Sequence, residues 1–128
     1  MEPIWIERRV VLAIHDEQIA EHGGQAGLRD AGLLDSELAR PRNRLACESV
    51  DLPALAAACA FGITRNHPFL DGNKRTALVV SELFLTLNGH ELSAEDGACV
   101  IVFVRLAAGD MSESELEPWF REHMRATA

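Results

Sequence analysis

The sequence predicts an all-α fold, a single helical bundle with buried central helices spanning residues 1–128 as one domain. Two segments, Ala54 to Ile63 and Thr76 to Leu87, are apolar on nearly every helical face, as in helices enclosed by others. The stretches around them are amphipathic at helical spacing, and no repeat, low-complexity tract or linker interrupts the chain.

Taken in order, the first element runs from Ile6 to Glu21. There Val10, Val11, Ile14 and Ile19 recur at mostly helical spacing between charges, and Gly23-Gly24 stops the helix. Glycines at 23, 24, 27 and 32 make Gly23 to Asp35 a folded loop. Asp35 is expected to cap a short helix that closes by Pro41, because proline disfavours helix at the residue before it. Arg40, Arg42 and Arg44 then form a small basic island, read as a solvated loop. Asp51 is the N-cap of the first buried helix, with Pro53 tolerated in its first turn, and Pro68 ends or interrupts it. The second buried helix starts near Asn73 and stops at Asn88-Gly89. Ser93 with Asp96 resembles a capping arrangement for a helix from Glu95 to Ala108, closed by Gly109, although its centre, Val100 to Val104, has strand propensity. Ser112 and Glu115 begin a last amphipathic helix that Pro118 should kink or delay.

Charge narrows the range of functions. Twelve Lys and Arg residues against 20 Asp and Glu leave a net charge of −8, which repels a phosphate backbone and disfavours general nucleic-acid binding. The longest apolar run, Ala98 to Val104, falls far short of the roughly 20 residues of a membrane span, and the N-terminus does not resemble a signal peptide. Cys47, Cys59 and Cys99 are odd in number and widely spaced without a CxxC pair. They read as small apolar residues of a reducing compartment. The expectation is a cytoplasmic protein without a membrane segment.

One segment does more than connect helices. Between two buried helices stands Asn66-His67-Pro68-Phe69-Leu70-Asp71-Gly72-Asn73-Lys74-Arg75-Thr76. Pro68 and Asp71-Gly72 suffice for the turn. Lys74 and Arg75 fall in the first turn of a helix, where the macrodipole is positive and four backbone N–H groups lack partners; cations there cost roughly 0.3–1 kcal/mol each. A bound anion reverses that sign, and Gly72 lets the backbone approach it, so the segment reads as a nest for phosphates. Asp71 can hold Mg²⁺, and His67 is of the residue type suited to act as a general base near neutral pH. Base, metal ligand and anion site together form a set for phosphoryl or nucleotidyl transfer. The structural alternative is a helix start with a satisfied histidine and solvated cations.

HPFLDGNKRTA closely resembles the motif of the Fic/Doc family, in which His-Pro-Phe-x-Asp/Glu-Gly-Asn-Gly-Arg marks AMP-transferring Fic enzymes. Lys74, within Asn-Lys-Arg-Thr-Ala, resembles the Doc (death-on-curing) branch, the toxins of toxin–antitoxin pairs. His22-Gly23-Gly24, the Gly27 to Leu34 loop and the Asn88-Gly89 helix end are similar to Doc as well. The resemblance implies that His67 takes a proton from a hydroxyl of the target protein and that Asp71 binds Mg²⁺. It implies that Gly72 and Asn73 line the anion site, that Arg75 contacts phosphates, and that Arg65, two residues before the histidine, is a further phosphate contact. Lys74 replaces the second glycine of Fic. In Doc this goes with an inverted ATP whose γ-phosphoryl faces the target, a threonine of translation elongation factor Tu, so that phosphorylation halts protein synthesis. Fic enzymes are restrained by a helix with the pattern Ser/Thr-x-x-x-Glu-Gly/Asn, which is absent here: Ser93 is followed by Gly97 and Ser112 by Leu116 at the glutamate position. Restraint is therefore expected from a separate antitoxin laying a helix in a groove. The island Arg40 to Arg44 lies where a target-docking flap sits in Fic folds.

Other readings are weaker. His90-Glu91 lacks the second histidine of a HExxH zinc site, no Cys/His spacing suits a metal finger, and no Walker-type loop is present. His15, His22, His90 and His123 read as surface or capping residues, while Trp5 and Trp119 pack terminal helices on the core. An all-α ribonuclease using Arg9 and His15 is disfavoured, since six residues place them about 240° apart round a helix. AMP transfer with the nucleotide turned round, or a non-catalytic binding module, stays open.

Overall fold

The all-α class holds in the computed structural model, which describes residues 2–127. In chain order come α1 (Arg8–His22), α2 (Ala31–Cys47), α3 (Leu52–Asn66), α4 (Asn73–Leu87), β1 (His90–Leu92), α5 (Asp96–Ala108), α6 (Glu113–His123) and β2 (Met124–Ala126). The centre is α3, against which α2, α4, α5 and α6 all pack. Ala54, Ala56, Ala57, Ala58 and Ala60 are at most 1% exposed. Alanine forms helix best, and its short side chain lets four neighbours approach one rod. Leu55, Ile63, Leu85, Leu106, Leu116 and Phe120 fill the spaces between helices. Each such burial contributes about 1.5–3 kcal/mol. No helix among the described residues is long and apolar enough to cross a membrane.

As expected, Asp51 caps α3 by accepting from the Ala54 N–H, and Ser112 with Glu115 forms a capping box at α6. Trp5 stacks on Phe84, and Trp119 meets Phe120 edge-on, so both tryptophans pack near the ends of the chain.

Several boundaries differ from expectation. The cap of α2 is Asp30, whose Oδ1 accepts from the Leu33 N–H at 3.0 Å, and not Asp35. The helix then runs through Pro41 to Cys47 instead of closing before it. Pro41 removes the partner of the Glu37 carbonyl, a cost of about 3 kcal/mol in an isolated helix. Packing outweighs it: Leu34, Glu37 and Pro41 are buried, and Arg40 and Arg44 both reach Glu113 on α6, at 2.6 and 2.8 Å. The basic island is thus an ion-paired helix face and not a solvated loop. Proline also fails to delay α6, which begins at Glu113 with Pro118 inside it.

Ser93 does not cap α5. Its hydroxyl donates to the His123 carbonyl at 2.7 Å, and Glu95 takes the N-cap position without a side-chain bond. Despite its strand propensity the segment is helical, because Cys99, Val102, Phe103 and Leu106 share one buried face. The second buried helix, α4, is one-sided: Thr76, Ala77, Val80, Ser81, Phe84 and Leu85 face inward while Lys74, Arg75, Glu82 and Leu87 are exposed. The two strands were not expected. They pair antiparallel, with Glu91 opposite Arg125, and at three residues each they carry no readable period.

Candidate active site

The loop between α3 and α4 is held peptide by peptide. His67 terminates α3 in the left-handed region (φ 50°, ψ 60°), the one non-glycine residue with positive φ among those described. That conformation costs roughly 1–2 kcal/mol for a residue with a Cβ, and surrounding structure must impose it. The carbonyls of Asn66 and His67 accept from Arg29 Nη2 and Nε at 2.6 and 2.7 Å. The Pro68 carbonyl accepts from the backbone N–H groups of Arg29 and Asp30, and Leu70 N–H donates to the Gly27 carbonyl. Asn73 closes a ring on Phe69: its Oδ1 accepts from the Phe69 N–H and its Nδ2 donates to the Phe69 carbonyl, both at 3.0 Å. Beneath the loop, His15 stacks on Phe69 with ring centroids 3.8 Å apart, and its Nε2 lies 2.8 Å from the Asp71 carbonyl.

This arrangement aims the polar groups outward. Asp71 is exposed, and its two carboxylate oxygens accept from the N–H groups of Gly72 and Gln25. Those two bonds, Gly72 first, hold its carboxyl below the usual range, with smaller help from Arg75 and His15. Gln25 gets this close because Gly24 has no side chain: a Cβ there would stand 2.7 Å from Asp71 Oδ2. Gly72 is left-handed (φ 73°) and caps α4 without a side-chain bond, so no side chain shields the first-turn N–H groups. Lys74 and Arg75 flank that turn, and Arg75 Nη2 donates to the Gly23 carbonyl at 3.4 Å. His67, Leu70, Asp71, Gly72, Asn73, Lys74 and Arg75 line one concavity of about 250 Å³.

The structure therefore brings His67, Asp71, Gly72, Asn73, Lys74 and Arg75 together, with the Asn73 amide committed to the loop and not free for a ligand. Arg65 is apart from them. Its guanidinium lies over the Phe61 ring at 5.6 Å and beside the position a Gly109 Cβ would take, and it does not line the concavity. His15 corrects the reading of surface histidines: it is 1% exposed and underpins the loop. Arg9 pairs with Glu7 at the surface, so Arg9 and His15 share no site. A larger groove of about 590 Å³ between α2 and α6 is lined by Glu37, Arg40, Arg44 and Glu113, whose charges largely neutralise one another. Cys59 is buried, its thiol pushed up to about 12 chiefly by desolvation and then by Glu37, which leaves it unreactive.

Among the described residues no group of three His, Cys, Asp or Glu side chains could hold a metal ion. One ionised carboxylate beside an anion site is nevertheless the donor set Mg²⁺ uses when phosphates supply its other oxygens, so Asp71 fits that role.

The chain is 33% identical over 112 residues to the protein kinase doc of Escherichia phage P1, covering 87% of this chain and 88% of that protein. It is 44% identical over 77 residues to toxin Doc of Mycolicibacterium smegmatis, covering 57% of this chain and 58% of the toxin. The model of the Fic/DOC family matches residues 5–85, which take in α1 to α3, the whole loop and α4 up to Leu85. By both measures the chain belongs to the Fic/Doc family.

Proposed function

We propose that the protein is a Doc-type toxin that transfers the γ-phosphoryl group of ATP to a hydroxyl of a target protein, elongation factor Tu, and so arrests translation in the cytoplasm. The observation that carries this reading is the α4 N-terminus. It has no side-chain cap, bears Lys74 and Arg75 where helix starts favour acids, and opens beside His67 and Asp71 in one concavity. The name of the phage relative supports a kinase.

In this mechanism the first-turn N–H groups, Lys74 and Arg75 bind the phosphates and draw charge away as the bridging bond breaks. Asp71 would hold Mg²⁺, which would supply neutralisation of the phosphate charge. His67 accepts the proton of the attacking hydroxyl, so the oxygen forms its bond to the γ-phosphorus as ADP leaves. The tied loop peptides keep base and anion site in fixed relation, so little reorganisation accompanies reaction. Restraint comes from a cognate antitoxin acting in trans.

The test is transfer from ATP labelled at the α- or the γ-phosphate, with purified elongation factor Tu and with cell extract. Label from the γ-phosphate on the target supports the kinase. Label from the α-phosphate alone replaces it with AMP transfer, and Lys74→Gly is expected to move the product in that direction.

A further inference from the structure

We propose that Arg29 is the positioning residue for His67: the loop between α1 and α2 completes what the end of α3 begins and fixes the backbone of the general base. The kinetic part of this proposal rests on the phosphotransfer reading; the conformational part does not.

His67 precedes Pro68, and the residue before a proline favours extended or polyproline II backbone. Its left-handed conformation is therefore disfavoured twice, by its Cβ and by the following ring. The end of α3 supplies one tie, the His67 N–H donating to the Ile63 carbonyl at 3.3 Å, as in helices that close on a left-handed residue, but it leaves the His67 carbonyl and the Pro68 peptide beyond it unheld. Arg29, 38 residues away, holds them: Nε donates to the His67 carbonyl at 2.7 Å. Nη2 donates to the preceding carbonyl, that of Asn66, at 2.6 Å. The backbone N–H groups of Arg29 and Asp30 take the next one, that of Pro68, at 2.8 and 3.0 Å. Three successive carbonyls thus converge on one residue and its neighbour.

The chemistry of the side chain matters. These carbonyls form the C-terminal end of α3, where the helix dipole is negative and a cation is favoured. A guanidinium is a planar fork able to span two acceptors at once, whereas an ammonium is a point charge that cannot. The Asn66 peptide is also anchored from its side chain, since Nδ2 donates to Glu37 Oε1 on α2 at 2.7 Å. Arg29 consequently pulls His67 against a fixed support. Loss of the fork frees His67 to return to extended backbone and displaces its imidazole from the concavity. The phosphate-binding groups on α4 stay in place, because Asn73 and His15 hold them independently.

The experiment uses the whole chain as wild type, Arg29→Ala and Arg29→Lys. It measures the ¹³Cα and ¹³Cβ shifts of His67, which report its backbone region, together with kcat and KM for Mg·ATP. In Arg29→Ala, His67 is expected to leave the left-handed region while kcat falls on the order of 10²-fold at unchanged KM. Guanidinium ion added to that variant should restore part of kcat. Arg29→Lys should lie between, with KM again unchanged. Left-handed His67 shifts in Arg29→Ala, or a loss expressed equally in KM, overturn the proposal. If the alanine variant does not fold, wild-type shifts and kcat in Arg29→Lys overturn it. If wild type transfers no phosphoryl group, the phosphotransfer reading fails while the His67 shifts still decide the role of Arg29.

Discussion

His67 and His15 illustrate how burial divides labour between two side chains of the same kind. His67 is exposed and touches the concavity, so His67→Ala should slow transfer about 10²–10⁴-fold while leaving stability within about 0.5 kcal/mol. His67→Gly should be equally inactive yet more stable than the alanine variant by about 1 kcal/mol, because glycine accepts φ 50° without a Cβ. Urea denaturation of the two variants decides it, and equal midpoints would mean that His67 carries no backbone strain. Glu37 makes a second prediction. It is 6% exposed and its Oε2 has no hydrogen-bond partner. Burial raises its pKa above 4.5, with Arg40 and Asn66 opposing and Glu113 adding. A carboxyl raised in the folded state contributes stability below its ordinary value and loses it as pH rises through the folded one. Wild type should therefore lose stability relative to Glu37→Gln as pH climbs from about 4 toward neutrality; the reverse slope would mean that the Arg40 pairing dominates. At this scale the sequence revealed the residues whose type is odd for their place, Lys74 and Arg75 at a helix start and His67 and Asp71 beside them. It hid His15 and Arg29, because their partners are backbone carbonyls 56 and 38 positions away, which no local spacing encodes.

Among the elements, α3 and α4 were legible because their apolar content and their stops are local properties. Asp51, Asn88 and Gly89 mark boundaries that depend on a few neighbouring atoms. Helix α2 was misread for the opposite reason. Pro41 is a genuine local breaker, but buried packing against α3 and the Glu113 ion pairs lie far along the chain. The Arg40 to Arg44 face serves those pairs, and Arg42 lies 5.4 Å from the Trp5 ring, so none of the three stands as a free basic island. On the proposed function, helix α4 carries a cost in its first turn. Lys74→Glu should place a favourable charge on the positive end of the dipole and stabilise the fold by about 0.3–1 kcal/mol. The same change should abolish phosphate binding. Denaturation midpoints and nucleotide titration together read both effects; lowered stability would show that Lys74 makes a structural contact and is not held there for an anion.

Over the whole molecule, a net charge of −8 sets a problem for binding a polyanion. Long-range repulsion is overcome only where cations and free N–H groups converge, and the first turn of α4 is where the structure gathers Lys74, Arg75 and an uncapped helix end. The site is also a junction. Residues 23–30, the end of α3, the start of α4 and His15 of α1 all meet at its loop, so a ligand seated there bears on four parts of the chain. Binding should consequently appear as global stability. At a hundred times its Kd, Mg·ATP should add about 2.7 kcal/mol, and at this chain length each kcal/mol raises Tm by roughly 3–5 °C. The variants separate binding from chemistry in one measurement. His67→Ala, which on the proposed mechanism removes the base but no phosphate contact, should keep the full thermal shift while losing transfer. Lys74→Glu should lose the shift although its ligand-free Tm is higher than that of wild type. Were His67→Ala to lose the shift as completely as Lys74→Glu, the histidine would be holding the nucleotide, and its assignment as the proton acceptor would fall.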